Sequence, residues 1–244
     1  MSSPMWTVPR LLLAALAVLW ALPAHAGQLV RVGAAHFPPY TVRPESGADT
    51  GLLPQLVEAL ALLVAQGRNV HLKMINAEYP VGESAALIAD VRKRVQELGL
   101  EQRVEINTGF LEDADSLTRL GDADLIVFPY QNTGESSSGA VRYGMACGRP
   151  VAVTPLSIFD DVRRATFALP GQSPSDLARG LGELIDAIAA NAPHVEQVRT
   201  EAARWRDAHR YSRVGQRLLN MTLALHRAER SPLAAVPRQP DFTV

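Results

Sequence analysis

Two rhythms of apolar positions alternate along this chain. Leu53, Leu56, Leu60 and Val64 share one face at helical spacing, as do Val57 and Ala61, which predicts a helix over residues 52–64. Short apolar runs of strand length follow at residues 70–76, 103–107, 124–130, 150–155 and 165–169. An earlier run, LVRV at 29–32, predicts one more strand, followed by a proline-stiffened turn at 36–40 and a polar loop at 43–51. Between the later runs lie helical stretches. Ser84 caps one that ends at Gly99, residues 113–120 form another, and residues 139–147 stop at Gly148. Ser173 caps a helix to about residue 190, and residues 193–208 and 212–230 predict two long final helices. From Val70 on, strand and helix alternate. That order predicts an α/β fold, a parallel sheet with helices on both faces. The proline-rich tail, 231–244, is expected to be flexible.

The first residues follow a different grammar. Arg10 precedes an apolar run over 11–22, and Ala24-His25-Ala26 follows. This is the charged, apolar and small-x-small order of a secretory signal, shorter than the roughly 20 residues of a membrane span. It predicts export to the periplasm or beyond, with a mature chain from near Gly27. A cytoplasmic location follows only if the leader is a chimeric artefact.

Composition narrows the function classes. The chain has 244 residues, 47% hydrophobic and 20% charged, with a formal net charge of -1. No nucleic-acid partner is expected, since such binders carry a basic excess. The single cysteine, Cys147, excludes an intrachain disulfide and a CxxC motif. The six histidines are scattered, so neither a metal site nor a cofactor is expected. The arginines of the last two helices (Arg199, Arg204, Arg206, Arg210, Arg213 and Arg217) read as a solvated face rather than a phosphate patch. Trp205 and Tyr211 are expected to anchor those helices.

The candidate chemistry lies between Asp124 and Pro155, where a buried strand, a polar loop, a helix start and a second buried strand follow one another. A loop at the carboxyl end of a parallel strand that opens a helix is where α/β proteins hold anions. Ser137, Ser138 and Gly139 offer unpaired backbone N–H groups at the helix start, and Gly139 lets a ligand approach the backbone. Glu135 is a suitable acceptor for sugar hydroxyls. The competing structural reading makes the serines plain caps and Glu135 an offset to the helix dipole.

The segments NVHLKMINAEYP, LGLEQRV, GFLEDADSLTRLGDADLIVFPY, TGESSSGAVRYGMACGRPVAVTPLSIFDDV and ARWRDAHRYSRVGQRLLNM stand in one order over about residues 57–227. Together they resemble the donor-binding half of a GT-B glycosyltransferase of the family 4 type. The resemblance implies a Rossmann-like domain, half of a GT-B fold with long C-terminal helices. It implies a nucleotide-sugar donor and hexosyl transfer with retention, without a metal. Carried over by motif, Glu135 is the catalytic-site carboxylate on the sugar. Ser136, Ser137, Ser138 and Gly139 cradle the pyrophosphate, Asn132 and Thr133 shape the loop, and Arg142 and Tyr143 line the site. Two departures stand out. Tyr143 occupies the position of the family's second, ribose-holding glutamate. Thr50-Gly51 stands where a Lys-Gly pair is common, and no lysine precedes Lys73.

Upstream, LVRVGAAHFPPYTVRPESGADTGLLPQLVEAL resembles the start of a family 3 periplasmic solute-binding protein, with Phe37 and Tyr40 at its ligand-stacking turn. The two resemblances meet in LVEAL at 56–60. The implied organisation is a signal peptide over 1–26, a solute-binding-like fragment over 27–56, a donor-binding domain over 57–230 and the tail. Since the acceptor half and the diphosphate cations are not recognised, the reading is a glycosyltransferase incomplete or inactive alone. Its expected partners are a nucleotide sugar and either a missing N-terminal GT-B half or a second copy, through exposed C-terminal helices. The alternative is an exported solute-binding module.

Overall fold

The computed structural model describes residues 16–20, 29–34, 52–75, 77–78, 80, 82–130 and 137–230. Its elements run β1 (Leu16–Trp20), β2 (Leu29–Ala34), α1 (Leu52–Ala65), β3 (Asn69–Ile75), α2 (Gly82–Glu97), β4 (Val104–Asn107), α3 (Asp113–Gly121), β5 (Leu125–Phe128), α4 (Gly139–Ala146), β6 (Val151–Val153), β7 (Phe167–Ala168), α5 (Pro174–Ala189), α6 (Pro193–Ala208) and α7 (Tyr211–Arg230). Two short 3-10 turns, Ser157–Phe159 and Arg163–Ala165, join β6 to β7.

One sheet is built in the order β4-β3-β1-β2-β5-β6-β7. The pairs β3–β4, β2–β3, β2–β5, β5–β6 and β6–β7 are parallel. Val30 pairs with Val70, Gly33 with Ile126, and Val127 with Ala152. From β2 the chain builds outward through β3 and β4, then returns to build β5, β6 and β7 on the other side. The reversal lies between β2 and β5, and the crevice outside the carboxyl ends of such strands is where open α/β sheets bind ligands.

Helices cover both faces, as the alternation predicts. Leu125 and Val127 join the main core with Leu56, Leu60 and Leu63 of α1 and Leu177 and Leu181 of α5. Ile126 and Phe128 point the other way, toward α4. All four residues of β5 are fully buried, which is why the run lacks polar alternation. Arg68 after α1 makes a bidentate pair with Asp186 of α5, at 2.6 and 2.8 Å. Arg94 of α2 donates to Glu58 of α1.

Residues 16–20 form β1, antiparallel to β2 and β3 with Val18 opposite Lys73. Three local expectations change. The helix assigned to a Ser84 cap starts at Gly82, so Ser84 is buried in its first turn. The strand expected over 165–169 is reduced to Phe167–Ala168 by the second 3-10 turn. Tyr211 anchors nothing: its side chain is 97% exposed.

The chain divides into two compact units, residues 1–203 and 204–244. In the second, α7 exposes Val214, Leu218, Leu219, Met221, Leu223 and Leu225. No helix among the described residues is long and apolar enough to cross a membrane. The turn aromatics Phe37 and Tyr40 lie outside the described residues.

Candidate functional site

The loop after β5 leads into α4, and Ser138 makes that junction. Its backbone is extended, and its Oγ accepts from the Val141 N–H at 3.3 Å. The same hydroxyl donates to the Tyr130 hydroxyl at 3.2 Å, and the side chain is buried. The sequence places a small polar residue one step before an apolar-periodic helix, and a cap follows. Helix geometry leaves the Gly139 and Ala140 N–H groups without a carbonyl one turn back. Ser137 and Gly139 are exposed at this end. Ser138 thus acts as a structural cap, and the backbone N–H groups of the first turn of α4 are what this junction can offer an anion.

Arg142 and Tyr143 point their polar ends into the protein's own framework. Arg142 donates through Nη1 to the Ser138 carbonyl at 2.8 Å and through Nη2 to the Asp161 carboxylate. Tyr143 donates its hydroxyl proton to the Asp113 carbonyl of α3 at 2.8 Å. Burial, followed by the negative charge of Asp113, pushes the Tyr143 hydroxyl up to about 12, so it stays neutral in ordinary buffers. One turn on, the Cys147 thiol donates to the Tyr143 carbonyl at 3.7 Å, and burial pushes it up to about 12.

Asn132, Thr133, Glu135 and Ser136 lie outside the described residues. Of the sequence-derived site, the structure therefore places Ser137, Ser138, Gly139, Arg142 and Tyr143 on one short stretch beside the carboxyl end of β5. Among the described residues, no group of three His, Cys, Asp or Glu side chains is placed to hold a metal ion.

A feature absent from the sequence reading adjoins this junction. Beyond β6, Thr154 donates from Oγ1 to the Tyr130 carbonyl at 2.6 Å. The Tyr130 ring lies 5.4 Å from that of Phe159. Past Phe159, a cleft of about 310 Å³ opens at the carboxyl ends of β6 and β7, its wall including Thr154, Ser157, Asp160, Arg163 and Thr166. The available signal was a polar turn directly after a buried run, the same signal that marked the loop after β5.

These features have counterparts in known proteins. Residues 52–187 match the family described as glycosyl transferases group 1. No curated protein matches this chain. Among solved structures, sucrose-phosphate synthase from Thermosynechococcus elongatus has a TM-score of 0.54 at 17% identity, covering 72% of this chain and 43% of that one. A glycosyltransferase from Rickettsia africae has a TM-score of 0.56 at 16% identity, covering 75% and 46%. Anabaena HepE, solved in complex with UDP, has a TM-score of 0.52 at 15% identity, covering 82% and 48%. The fold is therefore that of one half of a GT-B protein, and this chain spans less than half the length of those three structures. Because the family match runs through more than half of its residues, the chain belongs to the glycosyl transferases group 1.

Proposed function

We propose that this chain binds a nucleotide-sugar donor and serves hexosyl transfer, with retention of anomeric configuration, when an acceptor-binding half completes the cleft. The observation that carries this reading is the capped start of α4 at the carboxyl end of β5, in a chain whose family match spans that junction. The donor pyrophosphate would lie on the Gly139 and Ala140 N–H groups, where the helix dipole favours negative charge. The sugar hydroxyls would donate to Glu135, the catalytic-site carboxylate, with Asn132, Thr133 and Ser136 shaping the loop and Ser137 at its rim. Structures of Anabaena HepE with UDP and with UDP-glucose lend support to a uridine nucleotide as the first donor to test.

Arg142 and Tyr143 take different roles from those of direct ligand contacts. Arg142 is held by Asp161 and ties the link between the two 3-10 turns to α4. Tyr143 spends its proton on Asp113. Toward a ribose it can only accept, whereas a carboxylate in the same place accepts more strongly.

Isothermal titration with UDP- and GDP-sugars tests the proposal. Saturable heat from one donor, lost in Glu135→Ala with the melting transition unchanged, is the expected result. Folded protein that gives no heat with any donor ends the donor-binding reading.

A further inference from the structure

The cleft at the carboxyl ends of β6 and β7 carries one charge of each sign on its wall. Asp160 follows the first 3-10 turn and Arg163 opens the second. Arg163 Nη1 lies 3.9 Å from Asp160 Oδ1, and both side chains are exposed. That separation is longer than a hydrogen bond, so the guanidinium N–H groups and the carboxylate lone pairs stay open to a ligand. Ser157 places a hydroxyl on the same wall. Thr166 gives its hydroxyl proton to the Val162 carbonyl at 3.1 Å, so toward the cleft it can only accept. Leu156 and Ala168 add apolar surface. A volume of about 310 Å³, mixed apolar walls and a few convergent polar groups are the attributes of a small-ligand pocket.

We propose that this cleft binds a neutral saccharide ring, as the acceptor of the hexosyl transfer. Asp160 disfavours a free anion and Arg163 a free cation. A sugar hydroxyl suits both groups at once, since it donates to the carboxylate while it accepts from the guanidinium. An oxygen at hydrogen-bond length from each fits across the 3.9 Å gap. The ring C–H groups would lie on Leu156 and Ala168, out of water. The acceptor role rests on the donor-binding reading, and the position of the cleft supports it. Phe159 on the cleft wall has its ring 5.4 Å from that of Tyr130, and the Tyr130 hydroxyl accepts from Ser138 at the start of α4. One aromatic pair therefore joins the cleft to the junction where the donor pyrophosphate would lie.

Saturation-transfer NMR on the full chain tests this, with the methyl glycosides of glucose, galactose and mannose as probes and alanine as a zwitterionic control. Each is titrated with and without saturating UDP-glucose. The expected result is saturable binding of at least one glycoside, undiminished by UDP-glucose. Asp160→Ala and Arg163→Ala should each raise its dissociation constant about tenfold or more. Both side chains are exposed, so both variants should melt with the parent protein and keep its heat of UDP binding. Binding of no glycoside, or binding indifferent to both substitutions, overturns the proposal. So does displacement by UDP-glucose, for then the glycoside sits where the donor sugar belongs. Saturable binding of alanine alone also overturns it, because the paired charges would then read a zwitterion. A chain that holds a glycoside through Asp160 and Arg163, yet gives no heat with any nucleotide sugar, upholds the saccharide site and fails the donor-binding reading instead.

Discussion

Ser138 shows how a small polar side chain can be committed before any ligand arrives. Its hydroxyl both receives the Val141 N–H and donates to Tyr130, so it ties α4 to the residue that follows β5. Ser138→Ala removes a buried cap, and the expected cost is about 1 kcal/mol. Urea unfolding checks it, and an unchanged midpoint would mean that the cap is energetically idle. Two titrating groups next to one another give a second residue-scale test. The Tyr143 hydroxyl and the Cys147 thiol are both pushed up to about 12, from ordinary values of 10.0 and 9.0. Their folded-state values exceed their unfolded ones. The native state therefore favours the neutral forms, and the associated stability is fully present below pH 9. As pH rises from 9 toward 12 the unfolded chain ionises first, and stability declines. The urea midpoint should drop between pH 8 and pH 10.5, and Cys147→Ala should flatten that slope.

At the scale of elements, α4 lies as close to β5 as its glycine allows. A Cβ on Gly144 would meet the Phe128 ring carbons Cε2 and Cζ at 2.7 Å, and Phe128 is fully buried in a strand covered on both faces. Gly144→Ala should therefore cost about 1–3 kcal/mol through overpacking, read as a lower midpoint in denaturant. A variant as stable as the parent would show that α4 can shift from β5 without cost. The elements themselves were largely legible in the sequence. Leu53, Leu56 and Leu60 announce α1 because helical spacing and burial coincide there. The Gly148 stop stands with φ +77°, and Ser173 caps α5 by accepting from the Asp176 N–H. The 3-10 turns were not legible, since three-residue turns carry no period. The junction that opens α4 could be read because it is contiguous, from Ser137 to Gly139. The cleft could not, because its walls come from the ends of β6 and β7 and become neighbours only through strand pairing. Nor does local sequence reveal that Arg142 is spent on Asp161, nineteen positions away.

For the whole molecule, binding a donor and breaking its glycosidic bond make different demands on charge. Binding asks for donors aimed at a diphosphate that already exists, and the first turn of a helix supplies them. Transfer develops further negative charge on the departing nucleoside diphosphate, and the rate follows how well that extra charge is met. Among the described residues near α4, Arg142 is held by Asp161. In the sequence, Thr50-Gly51 stands where the resembling family commonly has Lys-Gly. Losing one such charge-stabilising group costs on the order of 10²–10³ in turnover. The expected behaviour of this chain is thus donor binding with transfer slowed on that order. Titration and turnover should be measured on one preparation, with UDP-glucose as donor. The predicted outcome is saturable heat with sugar release on the order of 10²–10³ slower than in Thr50→Lys. Thr50→Lys should then strengthen binding of UDP more than of uridine, because the added cation can act only where there is a diphosphate to meet. Robust sugar release by the unaltered chain would show that another group supplies the charge, and the role assigned to position 50 would fail.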